Sequence, residues 1–144
     1  MEVMHGVNLD QLGRRDASHY GGLTLDELER RVGDFAHALG LETRFFHTNH
    51  EGEFVEHLHR LDGMADGIVL NPGAWTHYAW SIRDALELTG LPAVEVHLSD
   101  VMAREEFRHV SVVRDLCVET ISGEGPDGYR RALERLKSEL EAAA

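Results

Sequence analysis

The sequence predicts a single α/β domain in which a parallel sheet carries helices on both faces. Three observations predict it. Short apolar or β-branched segments alternate with segments of helical periodicity, which is the pattern of βαβ units. The 144 residues suit one domain and leave none over for a second. Polar residues gather where the apolar runs stop, and in an open parallel sheet that edge is where ligands bind. Five strands joined by right-handed crossovers give a flavodoxin-like three-layer fold, with strand order 2-1-3-4-5.

The expected strands are Glu2–Met4, Thr43–His47, Gly67–Asn71, Ala93–His97 and Cys117–Ser122. After the first, Thr24 and Glu27 form a capping-box pattern, and Leu25, Leu28, Val32, Phe35 and Leu39 share one helical face before Gly40 stops the helix. A second helix is expected from Glu51 to Leu61, with Phe54, Val55, Leu58 and Leu61 inward. A third is expected from His77 to Leu88, with Trp80, Ala85 and Leu88 among its apolar positions. The last opens near Asp127 and carries Tyr129, Leu133, Leu136 and Leu140. Two connections, Gly6 to Leu23 and Leu98 to Asp115, are long for this architecture and are candidate lids. With no internal repeat or linker, residues 1–144 read as one domain.

Composition narrows the function. A formal net charge of −12 argues against nucleic acid, whose phosphates need a concentrated basic surface. An anionic small molecule would then need a locally basic pocket, and the arginines do cluster: Arg14 adjoins Arg15, and Arg104 and Arg108 sit four apart. No apolar run is long enough to span a membrane. The opening MEVMHGVNLD lacks the pattern of a secretory signal. Cys117 is the single cysteine and reads as a buried thiol, so the cytoplasm is the expected compartment.

Two patterns suggest chemistry that their surroundings do not support. Gly123, Gly125 and Gly128 spell GxGxxG after a strand, but only 16 residues follow, leaving no second strand or acidic residue to hold a ribose. A turn and helix cap is the expected role. His47, His50, His57 and His59 lie close in sequence, yet there is no HExxH and no cysteine pair, and neighbours two apart on a helix face different ways. No metal and no cofactor are expected.

The segments that meet at the carboxyl edge are HGVNL (His5–Leu9), GRRDASHYG (Gly13–Gly21), NPGAWTH (Asn71–His77) and EVHLSDVMAREEFRHVS (Glu95–Ser111). With TNHEGE at Thr48–Glu53, IRDAL at Ile82–Leu86 and SGEGPDGY at Ser122–Tyr129, they resemble the type II 3-dehydroquinate dehydratases over nearly the whole chain. MHGVNL and LGRRDASHYG stand for that family's LNGPNL and LGxRxPxxYG. The resemblance implies a lyase that removes water from 3-dehydroquinate by anti elimination through an enolate, giving 3-dehydroshikimate. That step serves both aromatic amino-acid synthesis and quinate breakdown.

Such chemistry needs a base at the α-carbon, a stabiliser for the enolate oxygen and an acid for the leaving hydroxyl. By the resemblance, Tyr20 is the base and Arg15 the cation that favours its phenolate, since tyrosine ordinarily titrates near pH 10. Asn8 holds a water near the enolate oxygen, His97 is the acid, and Glu95 orients the imidazole. Leu98 and Ser99 hold the substrate carboxylate, Asn71, His77 and Arg108 bind ring hydroxyls, and Asp84 reaches into a neighbouring subunit's site. The implied assembly is a homododecamer, a tetramer of trimers.

Several positions depart from the family pattern. His5 and Val7 replace an asparagine and a proline, Asp16–Ala17 replaces an acidic residue and proline, and Asp100 and Met102 replace residues that are commonly asparagine and histidine. They keep two alternatives open: a paralogue acting on another cyclic hydroxy ketone, with His5 and Asp100 as its mark, and a non-catalytic metabolite-binding protein.

Overall fold

The computed structural model describes residues 1–20 and 22–144, so Gly21 of the loop's Tyr-Gly pair lies outside the described residues. Among these, strands β1 (Glu2–His5), β2 (Arg44–His47), β3 (Ile68–Asn71), β4 (Ala93–His97) and β5 (Glu119–Ser122) form one five-stranded parallel sheet of order β2-β1-β3-β4-β5. The α-helices are α1 (Ala17–Tyr20), α2 (Leu25–Ala38), α3 (Glu51–His59), α4 (Trp80–Thr89) and α5 (Asp127–Ala143).

Alternating strand side chains build a core on each face of the sheet. Val3, Val69, Val94, Val96 and Ile121 pack under α2 and α5, against Leu28, Val32, Tyr129, Leu133 and Leu136. Met4, Ile68 and Leu70 pack under α3 and α4, against Phe54, Leu58, Ile82 and Ala85. The Thr24 hydroxyl caps α2 by accepting the Glu27 N–H at 3.2 Å, as the capping-box pattern predicts.

Three expectations change. The third helix begins at Trp80 because Gly73–His77 makes a separate 3₁₀ turn and Tyr78 leaves the helical region at φ −155°. Its inward face is Ile82, Ala85 and Leu86, so Trp80 and Leu88 lie outward, 64% and 77% exposed. Trp75, in the 3₁₀ turn, is the buried tryptophan and meets Phe54 edge-on with ring centroids 5.7 Å apart. The fifth strand starts at Glu119, because a 3₁₀ turn at Arg114–Leu116 takes up the chain before it.

Two glycines bring the ends of β1 and β3 together. A Cβ at Gly6 would sit 2.2 Å from the Pro72 carbonyl oxygen. Gly73, at φ +68°, would place one 2.6 Å from the Val7 carbonyl oxygen. Only glycine fits such approaches, and they set Val7 and Asn8 beside Asn71 at the sheet's carboxyl edge.

Candidate active site

At that edge lies a cavity of about 140 Å³, around which Asn8, Arg15, Tyr20, Asn71, His77, His97, Ser99 and Arg108 converge. These eight come from segments far apart in sequence, and the parallel topology unites them. Glu95 and Leu98 stand behind the cavity, buried. Asp84 is on the exposed side of α4, away from the cavity of its own chain.

Tyr20, on the short helix α1, is held by two cations. The Arg15 guanidinium lies over its ring, 4.2 Å from the centroid, a cation–π distance. Arg104 donates from Nη1 to the Tyr20 hydroxyl oxygen at 2.6 Å and to Ser99 Oγ at 3.4 Å. Sequence reasoning missed Arg104 as a site residue. Its signal was the basic pair Arg104 and Arg108, and with Arg15 both now line the cavity, giving a local positive field in a chain of net charge −12.

His97 is fixed from behind by Glu95, whose carboxylate accepts from Nε2 at 2.5 Å. The carboxylate's other oxygen accepts from the Ser111 hydroxyl at 2.8 Å. Burial pushes the Glu95 pKa up, but its bond to His97, the His97 charge and the Ser111 hydroxyl outweigh burial and hold it below the usual carboxylate range. With Nε2 engaged, Nδ1 is the His97 nitrogen available to a ligand. His77 is the converse case: its Nδ1 donates to the Val110 carbonyl at 2.6 Å, which fixes the tautomer and leaves Nε2 as an acceptor. Burial lowers the His77 pKa, in keeping with a neutral hydrogen-bonding ring.

The departing residues sort by position. Val7 lines the cavity, whereas His5, Asp100 and Met102 are not among its lining residues. Asp100 caps the 3₁₀ turn Val101–Ala103 by accepting the Met102 N–H at 3.1 Å, so its charge is engaged locally. Asp16 accepts from the Ser18 backbone and hydroxyl at 2.9 and 2.8 Å, which gives the loop a local turn where a proline would have stiffened it. The GxGxxG segment is a brace: Gly123 and Gly125 donate backbone N–H bonds to the Ser99 and Leu98 carbonyls. The histidines disperse, His57 to Glu2 and His47 towards Asp10, and among the described residues no three potential ligands group as a metal site requires.

His5 is fully buried beneath the site, where its Nε2 shares a 2.9 Å hydrogen bond with the Tyr129 hydroxyl. Burial, reinforced by nearby His47, lowers its pKa from 6.5 to about 3. Between those values the unfolded chain binds a proton that the folded chain does not, so stability falls as pH falls through this window. The gap, at about 1.4 kcal/mol per pH unit, sets an upper limit of roughly 5 kcal/mol. Denaturant unfolding at pH 7 and pH 4 is expected to show much of this loss. His5→Gln, which keeps a polar group without a titrating ring, should flatten it; an unchanged pH dependence would remove His5 as the cause.

Comparison with known proteins agrees with this geometry. The profile of the family described as Dehydroquinase class II matches residues 1–137. The 3-dehydroquinate dehydratase of Thermotoga neapolitana is 50% identical over 135 residues, covering 94% of this chain and 92% of that protein. The 3-dehydroquinate dehydratase 2 of Pseudomonas putida is 49% identical over 142 residues, covering 99% and 95%. The crystal structure of type II dehydroquinase from Propionibacterium acnes superposes with a TM-score of 0.91 at 40% identity, over 96% of this chain and 95% of the other. Among the described residues, no helix is long and apolar enough to cross a membrane.

Proposed function

The chain belongs to the class II dehydroquinases and has their dehydratase activity on 3-dehydroquinate; from that premise we propose that Tyr20 and His97 carry out the elimination between them. The observation that carries this reading is one cavity holding a phenol flanked by two guanidiniums and an imidazole backed by a carboxylate.

Tyr20, as the phenolate that Arg15 and Arg104 stabilise, takes the proton from the carbon next to the ketone. Electrons move onto the ketone oxygen, where a water held by Asn8 stabilises the enolate. The enolate then collapses, the carbon–oxygen bond to the β-hydroxyl breaks, and His97 gives that oxygen a proton so that it leaves as water. One proton has been taken by Tyr20 and one given by His97; passing it back from phenol to imidazole restores the site. Asn71, His77 and Arg108 hold the ring hydroxyls, with His77 accepting at Nε2, and the Leu98–Ser99 segment holds the substrate carboxylate.

No step uses a metal ion or an organic cofactor. Protein treated exhaustively with a chelator should therefore convert 3-dehydroquinate to the conjugated enone, followed by its ultraviolet absorbance. Activity lost on chelation and restored by zinc would overturn this mechanism, and a folded protein without turnover would overturn the substrate assignment.

Copies of the chain assemble through the outer face of α4, where Trp80, Asp84 and Leu88 lie four apart. Asp84 then completes a neighbour's site within trimers, and the trimers build a dodecamer. The enzyme works in the cytoplasm, a setting that suits its one cysteine.

A further inference from the structure

The TNHEGE segment contributes no residue to the cavity, yet it is built to reach back to it. The Thr48 hydroxyl donates to Glu53 Oε2 at 2.6 Å and accepts the His50 N–H at 3.0 Å. These bonds fix the turn between β2 and α3 and project Asn49 towards the end of β1. There the Asn49 Oδ1 accepts the backbone N–H of Asn8 at 2.8 Å.

Asn8 has a left-handed backbone, φ 68° and ψ 4°, and is the one non-glycine residue with positive φ among the described residues. Side chains adopt this conformation at a cost, and where it persists at a site the surroundings hold it. Its carbonyl accepts from the Gln11 N–H at 3.0 Å, and its N–H is held by Asn49. An asparagine amide can be turned either way round, and here Asp10 decides. Asp10 Oδ2 accepts from Asn49 Nδ2 at 3.2 Å, so Asn49 presents its oxygen to Asn8. The other Asp10 oxygen lies 3.7 Å from His47 Nε2, a buried ring nitrogen without a hydrogen-bond partner of its own.

We propose that Asn49, oriented by Asp10, is a positioning residue that holds Asn8 in its left-handed conformation and so sets the angle of the Asn8 side chain at the cavity. The proposal rests on the role given above to Asn8 in stabilising the enolate. Asn49 touches no substrate, and its effect falls on turnover because the charge Asn8 answers develops only during reaction.

The test is a set of variants assayed with 3-dehydroquinate, with backbone amide exchange at Asn8 followed by NMR. Asn49→Ala should lower kcat by about tenfold or more and change KM by less than about threefold. Asn49→Asp should also lose activity, because two carboxylates then face each other. Adding Asp10→Asn restores one donor and one acceptor, and the double variant should recover to within about threefold of the parent. In an Asn8→Ala background, Asn49→Ala should cost nothing further. The Asn8 N–H should exchange faster in Asn49→Ala and return to its parental rate in the swapped pair.

An unchanged kcat in Asn49→Ala would overturn the proposal, as would an equal loss with and without Asn8. A parent protein without turnover would overturn the assigned reaction instead. Amide exchange at Asn8 would then decide alone, and an unaltered rate in Asn49→Ala would overturn the positioning role.

Discussion

Replacing Tyr20 by phenylalanine is expected to reduce kcat on 3-dehydroquinate by about a thousandfold, within the span that a positioned acid or base contributes. The change removes one oxygen atom. Tyr20 is partly exposed on a short helix and its ring packs against the edge of one core, a contact that phenylalanine keeps, so the fold should be indifferent to the change. What goes is the atom to which Arg104 donates at 2.6 Å and the site of the charge that Arg15 and Arg104 balance. Single-turnover measurement separates chemistry from product release, and calorimetric titration with the product 3-dehydroshikimate should change by less than about threefold. Retained turnover would remove the phenol from the mechanism; a matching loss of affinity would make Tyr20 a binding group.

Glu95→Gln is expected to lower kcat by about a hundredfold with a smaller change in KM. Glu95 is wholly buried, and its carboxylate engages His97 Nε2 with one oxygen and Ser111 with the other. Glutamine keeps the shape but replaces a charged acceptor with an amide that also carries an N–H donor, so the imidazole loses the charged partner that orients it. Since the Glu95 pKa is held below the usual carboxylate range in the fold, its stabilising contribution is present above the ordinary value of 4.5 and is lost as pH falls through the lowered one. Glu95→Gln should thus trim the parent's acid destabilisation below about pH 4.5, on top of the loss that His5 causes between pH 6.5 and about 3. A pH–rate profile that matches the parent's in height and shape would show that His97 needs no partner.

The sheet and the identity of its ligand edge were legible in the sequence because strand periodicity and the polar residues after each apolar run are local signals. The eight residues around the cavity were singled out by the family resemblance, and they lie at these strand ends or in the long loops that follow them. Arg104 was less legible, since a surface arginine and one aimed across a cavity at Tyr20 look alike until the fold closes over them. Asn49 was hidden for a similar reason: the turn's motif is visible, but its hydrogen bond to Asn8 spans 41 residues. His5 and Asp100 read as marks of a changed pocket, and the structure turns them to a buried bond and a local cap. Side-chain direction at or just beyond the end of a strand decides such cases, and it depends on neighbours that sequence alone does not supply. The Trp80 and Leu88 positions fail differently: apolar periodicity marks a face to be covered, and among the described residues of one chain theirs stays largely exposed.

The contrast between the two tryptophans has a spectroscopic consequence. Trp75 is enclosed against Phe54, so its emission belongs to a dry, rigid environment that changes only on unfolding. Trp80 stands largely in water on the outer face of α4, and its emission shifts to shorter wavelength whenever another surface covers it. Intrinsic fluorescence thus separates two events: melting of the core is read from one indole, and the meeting of chains from the other.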